Sequence, residues 1–322
     1  MSALLLTAAN ASAATAAFPG ETQWGAFDGN RAVTDDTPAA AYNPGTNTAI
    51  VVWHTADNSI MYEARTGGGT TGVNLRIANA TANAPSVARL RFGFVIVYRG
   101  FDSRIYYMVN PNSGGNGIFT WTRPRAIPDF DGRPISTSAT PVISEINGRV
   151  TVAYRNAGNN PVLSTIDGTL DTSTFAITWS NGQNTGAESP SSPALTNFAG
   201  TEVLVYRRSG PNRLYWATRN GNGPWSGSQM IPGSPVVIGR PSVVAAGNQM
   251  DAVALRADPA QNDGRTITRT RFTGGPGWSG QFDNDPQNWR TFSAPVVYAI
   301  GIAILIFIRG ANNVVYGKNL SG

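Results

Sequence analysis

Six times along the chain an apolar run stops at a basic residue, turns through a few polar residues, and resumes as a short apolar or aromatic stretch. The clearest copies read FVIVYRGFDSRIYY at 94–107, VLVYRRSGPNRLYW at 203–216 and IFIRGANNVVYG at 306–317. Each copy opens at a proline, namely Pro38, Pro85, Pro141, Pro193, Pro241 and Pro295, at intervals of 47 to 56 residues. The basic residue follows 14 to 16 residues later, as His54, Arg99, Arg155, Arg207, Arg256 and Arg309. A polar turn then leads to an apolar residue two before an aromatic: Ile60/Tyr62, Ile105/Tyr107, Leu214/Trp216 and Val314/Tyr316. Two copies depart, with Val162/Ser164 and Ile267/Arg269. The last element of a copy carries tryptophan before a small hydroxyl residue, in Trp121-Thr122, Trp179-Ser180, Trp225-Ser226 and Trp278-Ser279. The first copy has only NLRI (74–77) there.

A repeat of about 50 residues holding four short strands cannot bury both of its faces alone and must stack between its neighbours. The sixth copy ends at Gly322 before reaching its tryptophan element, and ETQWGAF at 21–27, with Trp24-Gly25, supplies one at the other end of the chain. The expected fold is therefore an all-β, six-bladed β-propeller with four-stranded blades, its ring closed by the N-terminal strand. No linker interrupts residues 18–322, which read as one domain.

Composition agrees with strands. Charged residues make up 13% of the chain, about half the usual share, against 36 Gly and 21 Pro. Many Val, Thr, Tyr and Trp with frequent turn formers suit short strands, and no long segment keeps a helical apolar period. There is no cysteine and a single histidine, His54, which excludes disulfides and thiolate metal sites and argues against a Ser–His relay. No cofactor is expected. The net charge of +5 is spread out, and the pairs Arg123/Arg125, Arg207/Arg208 and Arg269/Arg271 are too short for a nucleic-acid stripe. A mild attraction to anionic glycans or cell surfaces fits that charge better. Residues 1–17 resemble the apolar middle and small-residue end of a secretory signal, with Ala-Ser-Ala at 11–13 and Ala-Thr-Ala at 14–16 as cleavage sites and no basic start. Export is the expectation. The apolar run 295–310 is too short to span a bilayer and reads as two buried strands.

The phrases VYRG-FDS-RIYY and FIRG-ANN-VVYG resemble the repeat of bacterial seven-bladed β-propeller lectins that bind fucose-type sugars, and the related sialidase-like repeats of secreted actinobacterial proteins. The resemblance spans all six copies in outline and is close in the second, fourth and sixth. It implies a propeller that binds sugar without turning it over, its glycans being those of cell surfaces. The chain differs from that family in having six copies. It differs from six-bladed fungal fucose lectins in lacking a repeated glutamate beside the arginine, since only Glu63 and Glu202 fall inside blade strands.

Under that reading Arg99, Arg155, Arg207, Arg256 and Arg309 form guanidinium forks donating to sugar hydroxyls or carboxylates. The alternative is that each arginine seals its strand tip and binds turn carbonyls of the next blade. Tyr62, Tyr107, Trp216 and Tyr316 offer flat faces to a pyranose, the alternative being packing between blades, which is also the reading for Trp24, Trp121, Trp179, Trp225 and Trp278. The blades of Arg99/Tyr107, Arg207/Trp216 and Arg309/Tyr316 hold the most complete sets, and several weak sites on one ring would give avidity. Oligomers are compatible with this arrangement.

Two other functions compete. A glycosidase needs two carboxylates at a fixed separation, and Asp35, Asp36, Asp129, Asp131, Glu145 and Glu202 are not repeated; the Ser-x-Asp-x-Gly-x-x-Trp box of sialidases is absent. Asp129-Phe-Asp131-Gly132 holds too few ligands for a calcium site. A protein-binding scaffold would have the same strands and variable loops, with 129–138 and 258–265 the longest.

Overall fold

The computed structural model describes residues 22–23, 34, 36–66, 75–79, 83–111, 120–180, 182–257, 265–274, 277–284, 291, 293–300, 303–309 and 315–319. Its strands fall into six antiparallel sheets. The first holds Ala39–Asn43, Thr48–His54, Ser59–Thr66 and Leu75–Asn79; the second Ser86–Leu90, Gly93–Arg99, Ile105–Asn110 and Arg125–Ala126. The third has five strands: Val142–Ile146, Arg149–Arg155, Val162–Leu170, Ile177–Trp179 and Gln183–Glu188. The fourth holds Ala194–Phe198, Thr201–Arg207, Leu214–Asn220 and Gln229–Met230; the fifth Val237–Ala246, Gln249–Ala257, Arg265–Phe272 and Asp283–Asn284. The sixth is built from Val296–Ile300, Ala303–Arg309 and Val315–Asn319, and its outer strand is Thr22–Gln23.

Successive strands of a sheet pair antiparallel, and several of the described connections are tight turns. Asn147 and Gly148 take φ of 51° and 83°, the two left-handed residues that a type I′ hairpin needs between right-twisted strands. The second strands of the first two sheets are almost wholly buried, Gly93–Arg99 at all but its last position. Thr48–His54 is buried at every position, because that strand has a neighbouring sheet on each face and so loses the usual inside–outside alternation.

The first strands meet in sequence order, Ala39–Asn43 beside Ser86–Leu90 and onward to Val296–Ile300, which returns to Ala39–Asn43. Six apolar clusters fill the spaces between successive sheets, among them Val51 and Trp53 against Tyr298 and Phe307 where the sixth sheet meets the first. The molecule is an all-β propeller. The apolar run at 295–310 contributes two strands, as expected, and no described helix is long and apolar enough to cross a membrane. At the chain ends, Thr22 pairs with Gly317 and Gln23 with Tyr316. Trp24, and the expectation attached to it, lie outside the described residues, as do 1–21.

Candidate functional site

The basic residue that ends each second strand has a recurring environment. Four residues before the opening proline stands a threonine or serine in most copies, as Thr34, Thr137, Ser189 and Thr291. The Thr34 hydroxyl donates to the His54 carbonyl at 2.8 Å, Thr137 to Arg155 at 2.7 Å and Thr291 to Arg309 at 3.1 Å. A strand-end carbonyl leaving the ladder would otherwise be an unmet acceptor.

The arginine side chains reach forward to the next sheet. Arg99 Nε donates to the Thr137 carbonyl at 2.9 Å, Nη1 to Asn83 at 2.9 Å and Nη2 to Ser103 at 2.8 Å. Arg155 Nε donates to the Ser189 carbonyl at 3.1 Å and Nη1 to Ser138 at 2.7 Å. At both positions Nε is spent on a carbonyl at the entry to the next sheet, as in the sheet-sealing alternative; Arg99 engages all three of its nitrogens inside the protein, and Arg155 engages Nε and Nη1.

Arg207 breaks the series. The next sheet opens with Val237 where a hydroxyl residue would stand, and its first strand shifts register between Ile238 and Ser242 around Gly239 at φ 69°. Val237 turns its amide to the Asn212 carbonyl at 2.7 Å. Arg207 Nε is buried with no hydrogen-bond partner, and Nη1 has only Asn212 Oδ1 at 3.4 Å. Burial pushes its pKa below the ordinary arginine value. Of the five donors of this guanidinium, a single one is engaged by a described residue of the protein. Arg256 is exposed at its strand end, and Arg309 is partly buried with its carbonyl held by Thr291.

The aromatics correct a second expectation. Tyr62 is 0% exposed and meets Trp121 of the second sheet edge-to-face at 5.6 Å. Tyr107, 3% exposed, meets Trp179 of the third sheet at 5.4 Å, and its hydroxyl accepts the Ile177 amide at 3.2 Å. Trp216 packs against Trp278 and Phe272 of the fifth sheet at 5.9 and 5.6 Å. Tyr62 and Tyr107 therefore present no ring face to a ligand, and the contacts of Trp216 are those of a stitch between sheets, each pair worth about 0.5–1.5 kcal/mol beyond area burial. The tryptophan element is anchored by the residue after it: the amides of Thr122, Ser180, Ser226 and Ser279 donate to the third-strand carbonyls of Val109, Asp167, Thr218 and Arg271 at 2.7–2.9 Å. The Tyr316 side chain is outside the described residues.

Ser164 stands where the third sheet would have its aromatic, and Trp225 of the fourth sheet consequently meets polar groups. Its Nε1 donates to Thr165 at 3.0 Å, and the Arg219 guanidinium lies over its ring, 5.0 Å from the centroid. Arg219, 2% exposed, pairs with both Asp167 and Glu202, donates to Thr151 at 3.1 Å and to Gln183 at 3.2 Å. Arg149 adds a fourth charge, 3.3 Å from Glu202. In the fifth sheet Asp251 is held by Arg269 and Arg271, each at 2.9 Å, and burial, its largest influence, raises its pKa against the opposing pull of Arg271. The Arg219 cluster joins strands of two sheets about 50 residues apart, the Asp251 cluster adjacent strands of one sheet, and only the departures at Ser164 and Arg269 hint at them in the sequence.

Asp129 behaves as a turn residue, its carboxylate accepting the amides of Asp131 at 3.0 Å and Arg133 at 2.8 Å. The loop that follows is pinned to the second sheet by bridges Arg104–Ser136 and Pro128–Pro134. Asp35 and the 258–264 segment lie outside the described residues. No group of three metal-ligating side chains occurs among the described residues.

No protein-family model matches the chain, and no curated protein does. Solved structures match its fold. AofleA from Arthrobotrys oligospora superposes with a TM-score of 0.65 at 12% identity, covering 93% of this chain and 86% of that one. The fucose-specific lectin from Aleuria aurantia gives 0.61 at 12% identity, covering 88% and 90%; a further structure of the Aleuria lectin, titled as a six-bladed β-propeller, gives 0.57 at 11%. At these identities the likeness establishes the fold: this chain shares the all-β propeller architecture of those structures.

Proposed function

We propose that the chain is an exported carbohydrate-binding protein without catalytic activity, a six-bladed propeller over residues 18–322 closed by Thr22–Gln23. Sugar docks between the fourth and fifth blades at Arg207. The observation that carries this reading is the arginine whose counterparts Arg99 and Arg155 are spent on the next blade while its own Nε meets nothing. A fixed guanidinium fork at a blade junction suits vicinal hydroxyls or a carboxylate. Lectins among the fold neighbours support the ligand class. The buried carboxylates favour binding over turnover: Asp167, Glu202 and Asp251 are each committed to arginines, whereas a glycosidase acid must hold a transferable proton. Residues 1–17 are its leader.

A glycan array probed with wild type and Arg207→Ala tests the proposal. Specific binding lost in the variant, with no release of fluorophore from fluorogenic glycosides, is the expected result. Equal binding by a folded Arg207→Ala variant removes the site, and turnover removes the non-catalytic reading.

A protein-binding scaffold is the second reading, favoured by Phe101 at 59% and Phe130 at 77% exposure in neighbouring turns of the second sheet. Binding to a cell-surface protein that survives deglycosylation and fails in Phe101→Ser/Phe130→Ser would establish it.

A further inference from the structure

The six first strands enclose a cavity of about 430 Å³ at the hub, lined mostly by small and apolar residues. Three charged side chains line it: Arg89, Glu145 and Arg240. Arg89 and Glu145 lie 3.7 Å apart, and Glu145 also accepts the Gly148 amide at 2.7 Å, so that pair is internally satisfied. Arg240 makes no hydrogen bond or ion pair with any described residue. It stands immediately before Pro241, where the other copies place Thr37, Ala84, Thr140, Ser192 and Ala294. Arg240 lies at the hub within the register shift between Ile238 and Ser242, where Arg207 makes no bond to a carbonyl of the next sheet.

Two further observations point inward. Ser144, 7% exposed, lines the cavity, and its Oγ is buried without a hydrogen-bond partner. Ser86 and Ser242 accept the amides of Ile143 at 3.2 Å and Val297 at 3.0 Å, which leaves their protons to donate. The carboxylate that acts on Arg240 electrostatically is Asp36, whose oxygens accept the amides of Thr37 at 2.7 Å and Ala84 at 2.9 Å. Desolvation lowers the pKa of the partly buried Arg240, and the charge of Asp36 opposes that shift.

We propose that the hub is a second, separate binding site for a carboxylate-bearing solute of monosaccharide size, such as a hexuronic acid, with Arg240 taking the carboxylate and the hub serines the hydroxyls. A guanidinium pairs with a carboxylate in bidentate fashion, and the cavity lies within the volume range of small-molecule sites. The site is independent of Arg207, and the two proposals fail separately.

The test is titration of the full chain with D-glucuronate, followed by amide chemical shifts, with D-glucose as the neutral control. The expected result is saturable shifts at Ser144 and Ser242, unchanged in Arg207→Ala and weakened about tenfold or more in Arg240→Gln, the range for a lost charged hydrogen bond. Arg240→Lys, which keeps the charge and loses the fork, should fall between and serves if Arg240→Gln does not fold. Absence of glucuronate binding, equal binding by a folded Arg240→Gln or Arg240→Lys variant, or glucose binding as tight as glucuronate would overturn the proposal.

Discussion

At the scale of single residues, the repeated aromatic is a packing device. Tyr62 sits wholly between two sheets, and burial pushes its hydroxyl up to about 12. Ionising it is disfavoured in the folded state, so its contribution is intact below pH 10, the unfolded value, and is lost as pH rises towards 12. Absorbance titration of wild type against Tyr62→Phe should assign it a midpoint near 12; ionisation near 10 would mean that the ring is open to water. Tyr107→Ala should cost about 3–5 kcal/mol, the usual range for a buried aromatic, read from urea unfolding, while leaving sugar affinity per folded molecule unchanged. The positions of these aromatics were legible in the sequence because they recur two residues after an apolar partner. Their role was not, because spacing does not reveal that Trp121 and Trp179 of the next copy arrive on the same ring.

At the scale of elements, the informative places are where a copy departs from the pattern. Ser164 in place of an aromatic opens the space that Arg219, Asp167 and Glu202 occupy between the third and fourth sheets. Removing Arg219 strips Asp167 of its ion pair and leaves Glu202 to Arg149 alone, so Arg219→Ala should cost about 3–5 kcal/mol, the range for breaking a buried pair. The midpoint of urea denaturation should fall accordingly, and an unchanged midpoint would show the cluster to be wet. The register shift between Ile238 and Ser242, around Gly239, is the second departure. Arg207 makes no bond to a carbonyl of the next sheet there, and Arg240 lies in the shifted stretch at the hub. The strands of the repeat, their order and the basic strand ends could be read from the sequence, because period-50 repetition states most of them several times, whereas the fifth strand Gln183–Glu188 of the third sheet departs from the expected four. The ion clusters and the free arginines could not, since each is stated once and depends on which residues of neighbouring sheets face each other.

At the scale of the whole molecule, the remaining question is how the ring is held shut. The inner strands already meet around the hub, and the apolar cluster of Val51, Trp53, Tyr298 and Phe307 seals the sixth sheet to the first. Among the described residues, the one outer strand that comes from a distant part of the chain is Thr22–Gln23, paired to Gly317 and Tyr316. Without it Val315–Asn319 would become a bare edge with unmet backbone groups, a template for pairing with another chain. Deleting residues 1–33 should therefore lower the melting temperature by about 5 °C or more, on the scale of 2–4 °C per kcal/mol for a domain of this size, and promote concentration-dependent association in light scattering. Deleting residues 1–17 alone should do neither. Identical melting and a monomer in both truncations would show that the inner contacts close the wheel by themselves and that the N-terminal strand is dispensable. A lower melting point without association would show that the strand contributes packing and that the edge is protected by its own twist.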